Sequence, residues 1–372
     1  MSHFINTTRS HFDAVASHVL GQLTSTEAIT LNLSAEDTLY VRFNANRVRQ
    51  NTDVQQMVLS LQLQSLGRTV QQSCTLSGSL QVDCALLSNV LQACRAEVSV
   101  LDVDPNQVPI ANHGNSDDCF TGALLAPQDV VSSILDSAQG CDLAGLYAGG
   151  VVIRANRNSA GQSHWFATES FFLDYSLYDG PKAAKGGYAG ARWDTLAWAA
   201  NLARTRDLLD KLKRPTVNVK PGQYRTYLAP RAFADVLGMM GWNALSAAAW
   251  KQGRSPFKKL VEREAKFSPL LSFSENFGLA LTPRFNSQGE VSESLLPLMQ
   301  AGELRTLLVS SRTAKEYGLT GNAADEGEAP RALDVACGTL AEADILKEIG
   351  TGLYLSNVHY LNWSDPVSAR VT

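Results

Sequence analysis

Apolar residues recur at every third or fourth position near the start of the chain and then at every second one. This change of period lays out the first elements. Phe12, Val15, Ala16, Val19, Leu20 and Leu23 share one helical face, which predicts an amphipathic helix over about 8–24. Three groups then alternate with polar residues: Ile29, Leu31 and Leu33; Leu39, Val41 and Phe43; Leu59, Leu61 and Leu63. That is the pattern of half-buried antiparallel strands. The helical period returns at Leu86, Leu87, Val90, Leu91 and Cys94, with Asp83 placed to cap the helix. Helix, strands, helix in this order predicts an α+β layer, with helices packed on one face of an antiparallel sheet.

Further along, Asp104–Asp118 is polar and turn-rich and reads as a loop, and Pro127 opens a short helix through Ala138. Leu143–Ala155 and Ser163–Tyr178 read as long strands joined by a hairpin turn at Asn158-Ser159-Ala160-Gly161. The run Gly186-Gly187-Tyr188-Ala189-Gly190 lacks a following Lys-Ser/Thr and does not fit a dinucleotide fingerprint. It reads instead as a strand with close backbone contacts. Asp194 precedes a helix of about 195–213 that ends at Arg214-Pro215. The stretch from Pro215 to Pro221 is the expected boundary, giving an N-terminal α/β domain over 1–215 and a β-rich C-terminal domain over 216–372. At the head of the second domain, Tyr227–Trp250 reads as one Pro-initiated apolar helix.

Composition narrows the function classes. The 372 residues are 45% hydrophobic and 18% charged, as in a soluble globular protein, with a formal net charge of −4. The basic face that nucleic acid requires is not expected. The first residues carry no basic head followed by an apolar run, and no apolar stretch is long enough for a membrane span. A cytoplasmic location is therefore expected. Cys74, Cys84, Cys94, Cys119, Cys141 and Cys337 form no Cys-x-x-Cys pair and read as reduced thiols.

Three stretches after about residue 280 carry a sharper signal. They are Pro283-Arg284-Phe285-Asn286-Ser287-Gln288-Gly289-Glu290; Leu307–Gly318 followed by Gly321-Asn322-Ala323; and Gly350–Asn357 followed by Tyr360-Leu361-Asn362-Trp363-Ser364-Asp365 and Arg370-Val371-Thr372. Together with Val41-Arg42-Phe43-Asn44 and Val48-Arg49-Gln50, they resemble the TldD/PmbA family, also called the modulator of DNA gyrase family. The resemblance implies an N-terminal α/β domain, a β-rich C-terminal domain and dimers. It also implies further strands beyond Thr372, so the C-terminal domain is expected to lack the family's last strands and to need a partner at an open edge.

Within that family the resemblance separates two branches. TldD-like members carry a His-Glu-x-x-x-His zinc motif and act as metallopeptidases on unfolded peptides. TldE/PmbA-like members lack the motif and pair with a TldD subunit. Here the motif falls on Leu237-Gly238-Met239-Met240-Gly241-Trp242, with Leu237 and Trp242 at the histidines and Gly238 at the glutamate. None of these offers a donor to zinc, which takes imidazole, thiolate or carboxylate. Without the metal a water molecule keeps its ordinary pKa and is a poor nucleophile. Asp235, the nearest carboxylate, reads as an exposed helix charge, and Met239, Met240 and Trp242 read as core or interface packing.

Catalytic groups and a cofactor are therefore expected in the partner and not in this chain. Asn357, Tyr360, Asn362, Trp363, Asp365 and Arg370 are candidates for loop bracing or for holding an extended peptide at a sheet edge. Ser364, His359 and Asp365 form a triad only on paper, since adjacency in sequence says nothing of geometry. Three readings follow from the resemblance. The chain is a non-catalytic subunit that pairs with a TldD-like zinc peptidase, with unfolded peptide as substrate; or a homodimeric hydrolase active alone; or a regulator of DNA gyrase.

Overall fold

A computed structural model describes residues 3–372 of the chain. The described residues divide into two compact units, the first running to 103 and from 110 to 220, the second comprising 104–109 and 221–372.

The first unit runs α1 (His3–Leu20), β1 (Glu27–Asn44), β2 (Arg47–Ser65), β3 (Arg68–Leu76), α2 (Leu80–Val100), β4 (Asn115–Phe120), α3 (Val130–Leu135), β5 (Asp142–Asn158), β6 (Ser163–Asp179), β7 (Lys182–Gly190) and α4 (Thr195–Leu212). Its sheet has the order β3-β2-β1-β5-β6. Beyond β6, the parallel strand β4 pairs with its first half and the antiparallel strand β7 with its second. The alternating residues of β1 and β2 face one another: Ile29 lies opposite Leu63, Leu31 opposite Leu61 and Leu33 opposite Leu59. At the β1–β2 turn Ala45 and Asn46 both have positive φ, of 49° and 53°, the conformation that matches the twist of two strands joined by a two-residue loop.

The long strands use one face for two cores. On β5, Val151, Ile153 and Ala155 pack in the cluster covered by α1 and α2. Leu143 and Tyr147, of the same parity, pack in the cluster covered by α3 and α4. The two predicted strand segments Ile29–Leu33 and Leu39–Phe43 are therefore one strand serving both cores.

Three expectations change here. The first helix occupies His3–Leu20, because Phe4, Ile5 and Thr8 extend the buried stripe towards the start. Asp83 is not a cap: Ser79 precedes the helix, and Asp83 lies fully buried in its first turn. Its carboxylate accepts from Ser77 N–H and Oγ–H at 2.8 Å, Gly78 N–H at 3.0 Å and His11 Nε2 at 2.8 Å. It thus braces the turn before the helix against α1. Finally, the polar stretch 104–118 is not wholly a loop, since Asn115 onward pairs as β4. Exposure on one side explains why its composition resembles a turn.

Asp194 does cap α4, accepting from Leu196 and Ala197 N–H at 2.8 and 3.0 Å. The glycine-rich run is a strand, β7. At Gly186 an added Cβ would lie 2.4 Å from Tyr175 Cζ and 2.7 Å from Thr205 Oγ1. Tyr175 is buried there, bonding Asn201 and Thr205 through its hydroxyl at 2.7 and 2.8 Å. Gly186→Ala should therefore cost about 1–3 kcal/mol through overpacking. Urea unfolding measures this, and an unchanged midpoint would show that the contact relaxes freely.

The second unit contains β8 (Arg225–Leu228), α5 (Pro230–Met240), α6 (Ala247–Lys251), α7 (Lys258–Val261), β9 (Phe273–Asn276), β10 (Leu295–Gln300), β11 (Glu303–Leu304), α8 (Ser311–Tyr317), β12 (Leu333–Val335), α9 (Ile345–Ile349), β13 (Gly352–Leu355), β14 (Trp363–Asp365) and β15 (Arg370–Val371). Strands β11-β10-β9-β12 form one sheet, β8 and β13 a parallel pair and β14–β15 a hairpin. Residues 104–109 are tied into this unit by Asp104, which accepts from the Arg312 guanidinium, and by Gln107 O, which accepts from Lys315 Nζ at 2.7 Å.

The apolar run Tyr227–Trp250 is not one helix. After Met240 the chain turns through Asn243 at φ 68°. It then leaves helical geometry so that Leu245 O can accept from Leu308 N–H at 2.8 Å and Leu308 O from Ala247 N–H at 3.1 Å. A new helix begins with Ser246 as its cap, accepting from Ala249 N–H at 3.0 Å. Long-range pairing thus overrides a locally continuous apolar pattern.

Candidate functional site

Helix α5 turns Leu237 and Met240 into a core with Phe273, Leu298, Met299 and Leu308. Of the three zinc-motif positions, Leu237 is buried and Gly238 is on the exposed face, with open space where a side chain would stand. Trp242 lies past the helix end, 52% exposed. Of the core or interface packing expected, Met239 and Met240 take the core and Trp242 does not. Asp235 is half-buried and lies 3.6 Å from Arg231, one turn away. An aliphatic chain, a glycine and an indole do not fit zinc at these positions. Among the described residues, no group of three or more His, Cys, Asp or Glu side chains is placed to hold a metal ion. The six cysteines are not paired in disulfides.

The C-terminal stretch is brought against this helix at both ends. Strand β13 pairs in parallel with β8, and Ala229 N–H, just before the helix, donates to Leu355 O at 2.9 Å. Tyr227 and Tyr354 pack ring on ring at 5.2 Å. At the far end, Trp363 Nε1–H donates at 3.1 Å to Met239 O, a carbonyl that also accepts from Trp242 N–H at 3.0 Å.

The rest of the stretch does not converge. Asn357 is exposed and accepts from Ser356 Oγ–H at 2.9 Å. Tyr360 is 85% exposed at φ 54°, edge-on to His359. Asn362 and Thr372 exchange two backbone hydrogen bonds of 2.9 Å. Asp365 accepts from Ser368 N–H at 3.2 Å within the β14–β15 turn and faces Arg370 across the hairpin. The hydrogen bonds from Ser368 hold its carboxyl below the ordinary carboxylate range. No hydrogen bond joins Ser364, His359 and Asp365 among the described residues, and the arrangement is not a triad.

Sequence reading missed the polar groups that unite the other two stretches. Asn286 is buried; its Oδ1 accepts from Gln288 and Glu290 N–H, and its Nδ2 donates to Glu290 Oε2 at 2.8 Å and Ala324 O at 3.0 Å. Glu290 accepts from Ser311 Oγ–H at the start of α8. Asn322 accepts from Val309 N–H at 2.9 Å and donates to Leu307 O at 2.7 Å. Glu328, 1% exposed, accepts from Ser246 Oγ–H at 2.7 Å and from Ala248 and Ser310 N–H at 2.8 Å. Arg331 donates to Phe285 O at 2.8 Å, Ser292 Oγ at 3.0 Å and Ala323 O at 3.2 Å.

These side chains satisfy backbone groups in loops that have few strand partners, which is what burial of irregular backbone demands. Their hydrogen bonds serve the fold. Glu328 and Arg331 stand alone in Gly327-Glu328-Ala329-Pro330-Arg331. Charged residues among Gly, Ala and Pro were the one signal available.

Beside this network lies a groove of about 300 Å³, lined by Trp250, Leu260, Leu307 and Leu319 among others, with Arg263 and Arg305 also on its wall.

A two-unit α+β architecture, a seven-stranded sheet covered by helices on one face and a second unit of short strands braced by buried polar side chains, defines the class of this protein. The family model described as the PmbA/TldA metallopeptidase C-terminal domain matches residues 221–372. No curated protein sequence matches the chain.

Solved structures share the fold over nearly its whole length. A candidate modulator of DNA gyrase from Bacteroides thetaiotaomicron has a TM-score of 0.72 at 16% identity, covering 98% of this chain and 88% of that one. A candidate modulator of a DNA gyrase from Thermotoga maritima also has a TM-score of 0.72, at 13% identity, covering 95% and 82%. TldE from Thermococcus kodakarensis has a TM-score of 0.70 at 12% identity, covering 98% and 89%. Residues 221–372 therefore match the C-terminal domain of the PmbA/TldA family, and the likeness of the chain to the solved structures is one of fold. No helix among the described residues is long and apolar enough to cross a membrane.

Proposed function

We propose that this chain is a TldE/PmbA-like non-catalytic subunit that pairs with a TldD-like zinc metallopeptidase and contributes to the handling of unfolded peptides. The observation that carries this reading is the state of the motif positions on and after α5: Leu237 faces the core, Gly238 has no side chain and Trp242 lies beyond the helix. Nothing there ligates zinc or serves as a general base. Similarity of fold to a TldE supports the reading. The zinc and the nucleophilic water then belong to the partner subunit.

Purified alone, the protein should carry sub-stoichiometric zinc and cleave no unfolded peptide. A tagged copy should recover a protein bearing His-Glu-x-x-x-His, and the pair should show proteolysis that a chelator abolishes. Stoichiometric zinc in this chain alone, with chelator-sensitive cleavage, would falsify the proposal. Recovery of gyrase without any TldD-like protein would favour the regulatory reading instead.

A further inference from the structure

The groove beside α6 and α7 shares only the backbone of Leu307 and Val309 with the polar network, through Asn322, and its side-chain chemistry is of two kinds. Trp250, Leu260, Leu307 and Leu319 make its apolar walls, and Arg263 and Arg305 bring positive charge to it. Residues 251–266, which border it, carry six basic side chains against two acidic ones, in a chain whose net charge is −4. Arg305 is engaged by Gln300 Oε1 at 3.1 Å and lies 3.7 Å from Glu303. The Arg263 guanidinium makes no hydrogen bond or ion pair among the described residues. Its backbone is left-handed, at φ 61°, a conformation that favours glycine over a long side chain.

A cation left without a partner on the wall of an apolar groove complements one kind of ligand: an apolar group attached to a carboxylate. With about 300 Å³ the space sits at the small end of ligand pockets and suits a residue-sized group better than a long chain.

We infer that this groove binds the carboxy-terminal residue of a peptide, its apolar side chain against Trp250, Leu307 and Leu319 and its terminal carboxylate at Arg263, with Arg305 adding to the field. The identity of the ligand rests on the peptide-handling reading above; the location and the charge selectivity rest on the groove itself. A guanidinium holds a carboxylate by paired, charge-assisted hydrogen bonds, while a C-terminal amide offers it no charge. The site would therefore select peptide ends over internal segments.

Fluorescence polarisation of an N-terminally labelled hexapeptide ending in Leu, as free acid and as C-terminal amide, tests this on the full-length chain. The acid should bind about tenfold more tightly than the amide, since a partly exposed charged hydrogen bond contributes at the low end of its range. Added salt should narrow the gap. Arg263→Gln, a surface change that leaves the backbone as it is, should bring the acid to the level of the amide, while Lys266→Gln should leave the preference intact. Replacing the terminal Leu of the peptide by Asp should weaken binding by the loss of apolar contact.

Equal affinity for acid and amide, no binding of either, or an unchanged preference in Arg263→Gln would overturn the inference. So would a change of oligomeric state in that variant, which would make the groove an interface between copies. Pairing with a zinc subunit is read separately, by recovery of that protein and its metal. A wild-type chain that binds the acid selectively but recovers no partner would count against the pairing alone, and the reverse result against the groove alone.

Discussion

Glu328→Ala should destabilise the second unit by roughly 3–5 kcal/mol, because it strips the acceptor from two buried donors and one half-buried one, each buried donor costing about 1–3 kcal/mol when left unpaired. Those donors are the Ser246 hydroxyl and the amides of Ala248 and Ser310. They belong to three places that the chain brings together: the cap of α6, its first turn and the residue before α8. Loss of the carboxylate removes the tie among them.

Glu328→Gln should recover only part of the loss. Both carboxylate oxygens accept in the native protein, and an amide would turn a donor towards one of the donors already there. Amide hydrogen exchange gives the local readout: protection at Ala248 and Ser310 should fall first. An alanine variant whose urea midpoint and exchange rates match the wild type would show that water replaces the carboxylate at no cost, and would remove the structural account of the second stretch of family resemblance.

The second large effect lies in the first unit and depends on pH. Glu27 meets Arg95 in a two-pronged ion pair, accepting from Nε at 2.7 Å and Nη2 at 2.8 Å, and also accepts from Thr24 N–H at 2.9 Å. The Arg95 guanidinium, joined by the Thr24 amide, holds its carboxyl down at about 2, against an ordinary value of 4.5, although burial works the other way. A folded-state value below the unfolded one means that the unfolded chain takes up the proton first. The stabilisation is therefore complete above about 4.5 and is lost as pH falls towards 2. The interval corresponds to about 3 kcal/mol.

Asp83 acts in the same direction. Burial alone would raise it, but the hydrogen bonds from Ser77, His11 and Gly78 more than offset that and lower it. Glu27→Gln should cost about 3 kcal/mol at neutral pH and flatten the loss of stability between pH 5 and pH 2, leaving a residual slope from Asp83. Urea unfolding at a series of pH values measures both. A Glu27→Gln protein with the wild-type acid profile would mean that other carboxylates dominate.

The first unit was largely legible because its information is local and periodic. Alternation with a period of two placed Ile29, Leu31 and Leu33 on the buried face, where the structure pairs them with Leu63, Leu61 and Leu59. A one-residue slip would expose that whole set. Asp194 was legible as a cap for a similar reason, since a side chain that bonds amides two and three residues on leaves its mark in the local sequence. Asp83 was misread because its partners do not follow it: they are the preceding turn and, across the fold, His11.

The second unit was legible mainly in its motifs. The absence of zinc donors at Leu237, Gly238 and Trp242 follows from side-chain chemistry alone and needs no coordinates. That Leu237 points into the core while Trp242 lies past the end of α5 does need them, because the helix is cut by the pairing of Leu245 and Ala247 with Leu308. The same holds for Trp363, whose indole finds the carbonyl of Met239 from far along the chain.

The sequence by itself determined the α+β class, the face each long strand buries and the lack of metal-binding side chains at Leu237, Gly238 and Trp242. Those depend on periodicity and on what a side chain is made of. Only the tertiary structure decided which lone polar residues hold the loops together, where the apolar run breaks into two helices and that Arg263 shares a groove with Trp250 and Leu319. Those depend on which distant backbone groups are left without partners once the chain has closed on itself, and a linear pattern carries no record of that.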